Sequence, residues 1–124
     1  MKRWAVLGVL GAACFGVTAG GAAEPAIPLH VLYVGDAAGP RAGHFAAFLK
    51  EHFARVTLAD RKGFDPAAAQ AADVVLLDWS QSDGDLKAGP NPLGRLEDWS
   101  KPTVLLSSAG LLVAGHWQLI GGAG

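Results

Sequence analysis

After residue 28 the chain alternates between short apolar runs and polar or glycine-rich breaks, and the runs are of strand length. The central one is Ala72 to Ser80, Ala-Asp-Val-Val-Leu-Leu-Asp-Trp-Ser. Apolar residues fall on both of its faces, which is the signature of a parallel strand buried in the middle of a sheet. It stops abruptly on Asp78, which the pattern places at the carboxyl edge of that sheet. Leu29 to Val34 reads as a first buried strand, Arg55 to Ala59 as a short second one with Val56 and Leu58 alternating, and Thr103 to Ser107 as a fourth.

Between these runs the period changes. Phe45, Phe48, Leu49 and Phe53 share one face of a helix over His44 to Phe53, with Lys50 and Glu51 off that face. Asp65-Pro66 announces a second helix over the alanine-rich Ala67 to Ala72, since aspartate accepts from first-turn amides and proline at the first helical position lacks only an orphan N–H. Ser80 to Lys101 is rich in Gly, Pro and Asp and predicts a long loop, with a helical turn or two at Leu93 to Trp99 before Pro102. Leu111 to Ile120 predicts a last helix, weakened by Gly115.

Strand, helix, strand, helix, strand, loop, strand, helix is the order of an α/β chain with a doubly wound parallel sheet of the flavodoxin-like kind. Right-handed crossovers set the strands in the order 2-1-3-4. Ligands in such folds bind at the carboxyl edge of the switch point, here between the first and third strands. Gly121-Gly122-Ala123-Gly124 reads as a turn entering a fifth strand that is missing. The chain is therefore expected to be a fragment, or a four-stranded sheet whose edge needs protection and offers a route to self-association.

The start of the chain changes the picture of where the protein works. Met1-Lys2-Arg3 is followed by an apolar run from Trp4 to Val17 and by small residues to Ala23, the pattern of a signal peptide over residues 1–23. At 14 residues the apolar run is shorter than the roughly 20 of a spanning helix. The expectation is a secreted or periplasmic protein. Removing 23 of the 124 residues leaves 101, one α/β domain over residues 24–124. Cys14, the single cysteine, leaves with the signal, so neither a disulfide nor a thiol nucleophile is expected. Lys2 and Arg3 leave as well, so 8 of the 10 basic residues face 11 acidic ones, a net charge of −3. No basic cluster exceeds Arg61-Lys62, and nucleic-acid or anionic-membrane binding has no electrostatic footprint.

Candidate site residues cluster at the predicted strand ends. Gly35, Gly39 and Gly43 are spaced at four, with Asp36 after the first strand, Arg41 near the end of the loop and His44 at a helix start, a setting in which backbone amides can meet an anion. The glycines fit neither the P-loop nor the dinucleotide pattern, and no cofactor is expected. Asp36 and Asp78 together offer oxygen ligands to a cation or a hydroxyl, but two carboxylates name no metal. Trp79, Trp99 and Trp117 have apolar faces suited to sugar rings, although no spacing places them together. His30 and His52 read as packing or surface residues.

Val31-Leu32-Tyr33-Val34-Gly35, His44 to Phe53, Ala72 to Trp79 and Lys101-Pro102-Thr103-Val104-Leu105-Leu106 with its small-residue exit turn resemble class I glutamine-amidotransferase-like domains, in particular the secreted branch related to the trehalose-utilisation ThuA group. In the catalytic members a cysteine nucleophile sits on a sharp strand-to-helix turn, with a histidine and a glutamate from later in the chain. The resemblance places Ser108 of Leu106-Ser107-Ser108-Ala109-Gly110 at that position, with Leu106 where a G-x-S-x-G elbow has its first glycine. The only histidine after the turn, His116, lies eight residues on, about 12 Å along a helix. The chain also resembles response-regulator receiver domains, in which Asp36, Asp78 and Ser107 would take the places of the metal-binding acid, the phosphorylated aspartate and the fourth-strand hydroxyl. Receivers carry paired acids where this chain has Gly35-Asp36, and a lysine on a fifth strand.

The expectation is a secreted amidotransferase-like domain that binds rather than transforms, taking a small polar ligand or carbohydrate at a site of Gly35, Asp36, Arg41, His44, Asp78 and Ser107. The alternatives are a hydrolase of a small ester, amide or glycosidic substrate, with Ser108 as nucleophile or Asp78 as acid/base, and a receiver-like or interaction module.

Overall fold

A computed structural model of the protein describes residues 24–80 and 90–119. Its elements run β1 (Ile27–Gly35), α1 (Pro40–His52), β2 (Phe53–Asp60), a 3₁₀ helix (Pro66–Ala71), β3 (Val74–Trp79), a 3₁₀ turn (Leu96–Asp98), β4 (Thr103–Ser107) and α2 (Ala109–His116). The four strands form one parallel sheet in the order β2-β1-β3-β4, a flavodoxin-like α/β arrangement. The expected signal peptide, residues 81–89 of the expected long loop and the Gly-rich end lie outside the described residues. No helix among the described residues is long and apolar enough to cross a membrane.

Strand alternation sends β1 and β3 side chains to two different layers. Leu32, Val34, Val75, Leu77 and Trp79 join Ala69, Ala72, Leu93, Ala109 and Val113 in the main core, on the face that α2 covers. Val31 and Tyr33 point the other way, under α1, where Tyr33 stacks on Phe45 with ring centroids 5.5 Å apart. Asp78 falls on the Tyr33 side, between Leu77 and Trp79 of the main core.

Several element boundaries differ from the sequence pattern: α2 runs Ala109–His116 where Leu111 to Ile120 was expected, and others have a local reason. Helix α1 begins at Pro40, not His44, because proline occupies its first turn, where a missing N–H costs nothing. Its buried residues are Ala42, Ala46 and Leu49, while Phe48 is 57% exposed. Of the expected face Leu49 is buried and Phe45 stacks on Tyr33, while Phe48 faces away and Ala42 and Ala46 complete the packed surface. Phe53 belongs to β2, which follows α1 without a connecting loop. The alanine segment forms a 3₁₀ helix of six residues instead of an α-helix, since a rise of about 2.0 Å per residue lets a short segment reach β3. Asp65 accepts from Ala67 N at 2.9 Å at its start, and Lys101 Nζ donates to the carbonyls of Gln70 and Ala72, both at 2.8 Å, at its end.

The amino ends of the strands are tied together by side chains. His30 Nδ1 meets the Ala71 carbonyl at 2.7 Å and Nε2 meets Thr57 Oγ1 at 2.9 Å, while Asp73 accepts from His30 N at 2.7 Å. His30 therefore joins β1, β2 and the 3₁₀ helix. Trp99 Nε1 donates to Thr103 Oγ1 at 2.8 Å, and Trp117 Nε1 to the Gly94 carbonyl at 2.9 Å.

Candidate functional site

Asp78 is carried to the carboxyl edge by β3 and buried to 3% exposure by the layers on either side. A carboxylate at that depth is costly unless compensated. Its Oδ2 accepts from the Tyr33 hydroxyl at 2.7 Å and from Arg41 Nε at 2.5 Å. Arg41, in the first turn of α1, reaches on with Nη2 to Ser107 Oγ at 3.0 Å. Tyr33, Asp78, Arg41 and Ser107 thus form one chain of hydrogen bonds across β1, β3, α1 and β4. The other carboxylate oxygen, Oδ1, is buried and has no hydrogen-bond partner.

Tyr33 reaches Asp78 because of a glycine two residues on. In a strand, residues two apart share a face, so a side chain at Gly35 would stand beside the Tyr33 ring. A Cβ there would lie 2.8 Å from both Tyr33 Cε1 and its hydroxyl, closer than carbon atoms approach. The Gly35→Ala change would therefore push the phenol off the carboxylate. Burial, the hydrogen bond to Asp78 and the negative charge of Asp78 all push the Tyr33 hydroxyl well above its ordinary pKa of 10.0, so it stays a donor.

Of the residues expected at the site, Asp36, Arg41 and Asp78 line one pocket of about 190 Å³, together with Tyr33, Gly39, Pro40 and Ser80. Gly39 lies close over the Asp36 carboxylate: a Cβ would come within 2.7 Å of Asp36 Oδ2. Gly35 and Asp36 also line a second pocket, of about 260 Å³, with Asp60, Arg61 and Lys62. A third, of about 390 Å³, opens at the start of α2 and is lined by Ser80, Ser107, Ser108 and Leu111. His44 is exposed on α1 and lines none of the three. Among the described residues no group of three or more His, Cys, Asp or Glu could hold a metal ion. Of the two carboxylates that could have offered oxygen ligands to a cation or a hydroxyl, Asp36 and Asp78, the second is already bonded to the Arg41 guanidinium.

The strand-to-helix turn after β4 has its unusual backbone at Ser107, with φ of 58°, and not at Ser108. That left-handed conformation is rare for a residue with a side chain, and such outliers concentrate at ligand sites. Ser107 is exposed, with its hydroxyl accepting from Arg41. Ser108 stands at the N-cap of α2 in helical conformation, 8% exposed, and its side chain caps no amide. The group in contact with Ser107 is a guanidinium, which has no lone pair to take a proton. His116 ends α2, a full helix away from the turn.

Two members of this edge are not legible from spacing. Tyr33 reads as one more apolar strand residue, and only Gly35 beside it hints at a ring lying across the strand. Arg61 reads as part of a polar turn, yet it is 9% exposed, with its guanidinium 4.3 Å above the centre of the Trp79 ring. Trp79 is therefore a core residue under Arg61, whereas Trp99 and Trp117 meet at 6.4 Å between ring centroids at the opposite end of the sheet. The three tryptophans do not form one surface.

Compared with models of protein families, with curated proteins and with solved structures, the chain matches none. What the site can do is therefore argued from its own geometry.

Proposed function

We propose that this is a binding domain of a secreted or periplasmic protein, of amidotransferase-like build, which holds a small polar ligand of the sugar or polyol kind at the carboxyl edge of its sheet. The observation that carries the reading is Asp78 Oδ1, a buried carboxylate oxygen without a donor. An unsatisfied buried acceptor costs about 1–3 kcal/mol or more. Asp78 lines the pocket shared with Tyr33, Asp36, Arg41 and Ser80, and a small shift of the side chains that cover Oδ1 would let a ligand hydroxyl there supply the missing donor. The Tyr33 and Arg41 bonds to Oδ2 hold the carboxylate in one orientation, so its own order need not be imposed on binding.

A binding role is favoured over hydrolysis because, among the described residues, the side chain bonded to Ser107 is the Arg41 guanidinium, a donor that cannot take a proton. Titration of the chain by calorimetry with a panel of hexoses, pentoses, sugar acids and linear polyols tests the reading. At least one should bind, and Asp78→Asn, which keeps the shape but replaces a carboxylate oxygen by an amide, should weaken it tenfold or more. A folded protein that binds no member of the panel, or an Asp78→Asn variant that binds equally well, would refute it.

A further inference from the structure

The two edge strands of the sheet differ in composition. At one edge β2 carries Arg55 and Asp60, both exposed, and charged side chains on an edge strand oppose pairing with another chain. At the other edge β4 is Thr-Val-Leu-Leu-Ser, without charge, proline or bulge, and among the described residues β3 is its single neighbour. Val104 is 47% exposed there. The nearest charged residue along the chain, Lys101, is turned to the carbonyls of Gln70 and Ala72.

The register fixes which backbone groups this edge offers. The Pro102 carbonyl accepts from Val75 N at 2.9 Å, so Pro102, Val104 and Leu106 turn their backbone groups toward β3, and by alternation Thr103, Leu105 and Ser107 turn theirs outward. The strand is also self-complementary. Read from either end it runs polar, apolar, apolar, apolar, polar, so a twofold axis at Leu105 sets Leu105 against Leu105, Val104 against Leu106 and Thr103 against Ser107 of a second copy. Helix α2, which packs on β4 and β3, has no polar side chain from Ala109 to Gly115, and its Leu111 is 69% exposed. A helix apolar on every side is normally a buried one.

We infer that β4 is a homodimer edge, at which two copies of the chain join antiparallel about a twofold axis at Leu105 and continue the two four-stranded sheets as one. Leu105 of each copy exchanges both backbone hydrogen bonds with the other, the pairing in which opposite Cα atoms stand about 5.5 Å apart. The two α2 helices then lie on the same face of the joint sheet and meet across the axis, which covers the apolar side that Leu111 exposes. A strand of another protein would make no use of the symmetry of β4. Pairing through β2 would bring two copies of Arg55 to one seam. The seam is short, so the dimer belongs with the weak interfaces and forms by mass action.

Sedimentation velocity on the full chain from about 5 to about 500 μM, the range in which small interfaces associate, should show monomer passing to dimer. Val104→Lys places an ammonium on the seam at a position that is already exposed, so the fold should persist while the dissociation constant rises at least tenfold. Val104→Thr keeps the β-branched shape without the charge and should change it less than threefold. The register is read by oxidation in a Cys14→Ser background. Leu105→Cys should form a linked dimer at least tenfold faster than Val104→Cys, because opposite residues fall within the roughly 4.4–6.8 Å between Cα atoms that a disulfide spans, whereas the two residues 104 lie diagonally, about 7–8 Å apart. A chain that stays monomeric over the whole range would overturn the inference. So would a dimer that Val104→Lys leaves intact, since the contact would then lie elsewhere, the apolar run from Trp4 to Val17 included. Equal cross-linking at the two positions would overturn the twofold pairing at Leu105.

Discussion

The two ends of the sheet handle polar side chains in opposite ways. At the amino end, His30, Lys101, Trp99 and Trp117 each spend their hydrogen bonds on this chain, mostly on backbone carbonyls left over at the ends of helices and turns. At the carboxyl end, Asp78 keeps one buried oxygen unsatisfied and the Trp79 indole N–H is buried without an acceptor. The first arrangement is what stability alone would produce. The second costs stability, and such local conflicts concentrate where a protein meets something else. The difference teaches that buried polar residues in this domain have to be judged by whether their hydrogen bonds close within the chain.

The contrast can be broken by mutation, beginning at the amino end. Trp99→Ala removes a half-buried ring and its bond to Thr103, and should cost about 3 kcal/mol in urea unfolding. Ligand affinity should stay within twofold, because Trp99 lies at the far end of the sheet; a large loss of affinity in the folded variant would abolish the distinction between the ends. Next is Arg41→Met, which leaves Asp78 buried with its charge unbalanced. Breaking a fully buried pair costs about 3–5 kcal/mol, but the Arg41 side chain is 51% exposed, so about 2 kcal/mol is expected. Replacing the whole cluster, Tyr33→Phe with Arg41→Met and Asp78→Leu, should recover that loss and bring the melting temperature to the wild-type value or above it. A triple variant less stable than Arg41→Met alone would mean that the cluster is structural after all.

Smaller effects sharpen the same comparison. Tyr33→Phe removes a donor to a carboxylate and should cost about 1.5 kcal/mol at neutral pH. The phenol pKa is raised in the folded state, so its contribution is complete below the ordinary value of 10.0 and is lost as the pH climbs from there toward the raised value. Stability curves of the wild type and Tyr33→Phe should therefore converge above pH 10 and run parallel below it. Curves that stay parallel throughout would show that Tyr33 does not feel Asp78. The smallest effect is expected of Lys101→Met, about 1 kcal/mol for two bonds to partly exposed carbonyls, with ligand binding unaltered.

The strands were legible because hydrophobic burial is written in short-range pattern: Val74 to Leu77 is apolar on both faces, and only the middle of a parallel sheet buries both. The order β2-β1-β3-β4 followed from the handedness of crossovers. Helix ends were less legible. On α1 the pattern found Leu49 and Phe45, which pack, but it also counted Phe48, which does not, and passed over Ala42 and Ala46, since the need for close approach to a sheet is not a property of the helix itself. At the site, Asp36, Asp78 and Ser107 could be placed at strand ends by counting. Tyr33 could not, because its role depends on the absence of a side chain at Gly35 and on the alternation that turns Asp78 toward it.

By itself, then, the amino-acid sequence determined the class of fold, the order of the strands and the edge at which chemistry-bearing residues gather, since each of these depends on periodicity and on local backbone preference. Tertiary structure alone decided which residues form the site. It turned Ser107 outward and tucked Ser108 into a wall, left His44 on the surface, laid Arg61 over Trp79 and bonded only one oxygen of Asp78. Those outcomes depend on distances between segments far apart in the chain, and a pattern read along the chain carries the direction of a side chain but not what stands opposite it.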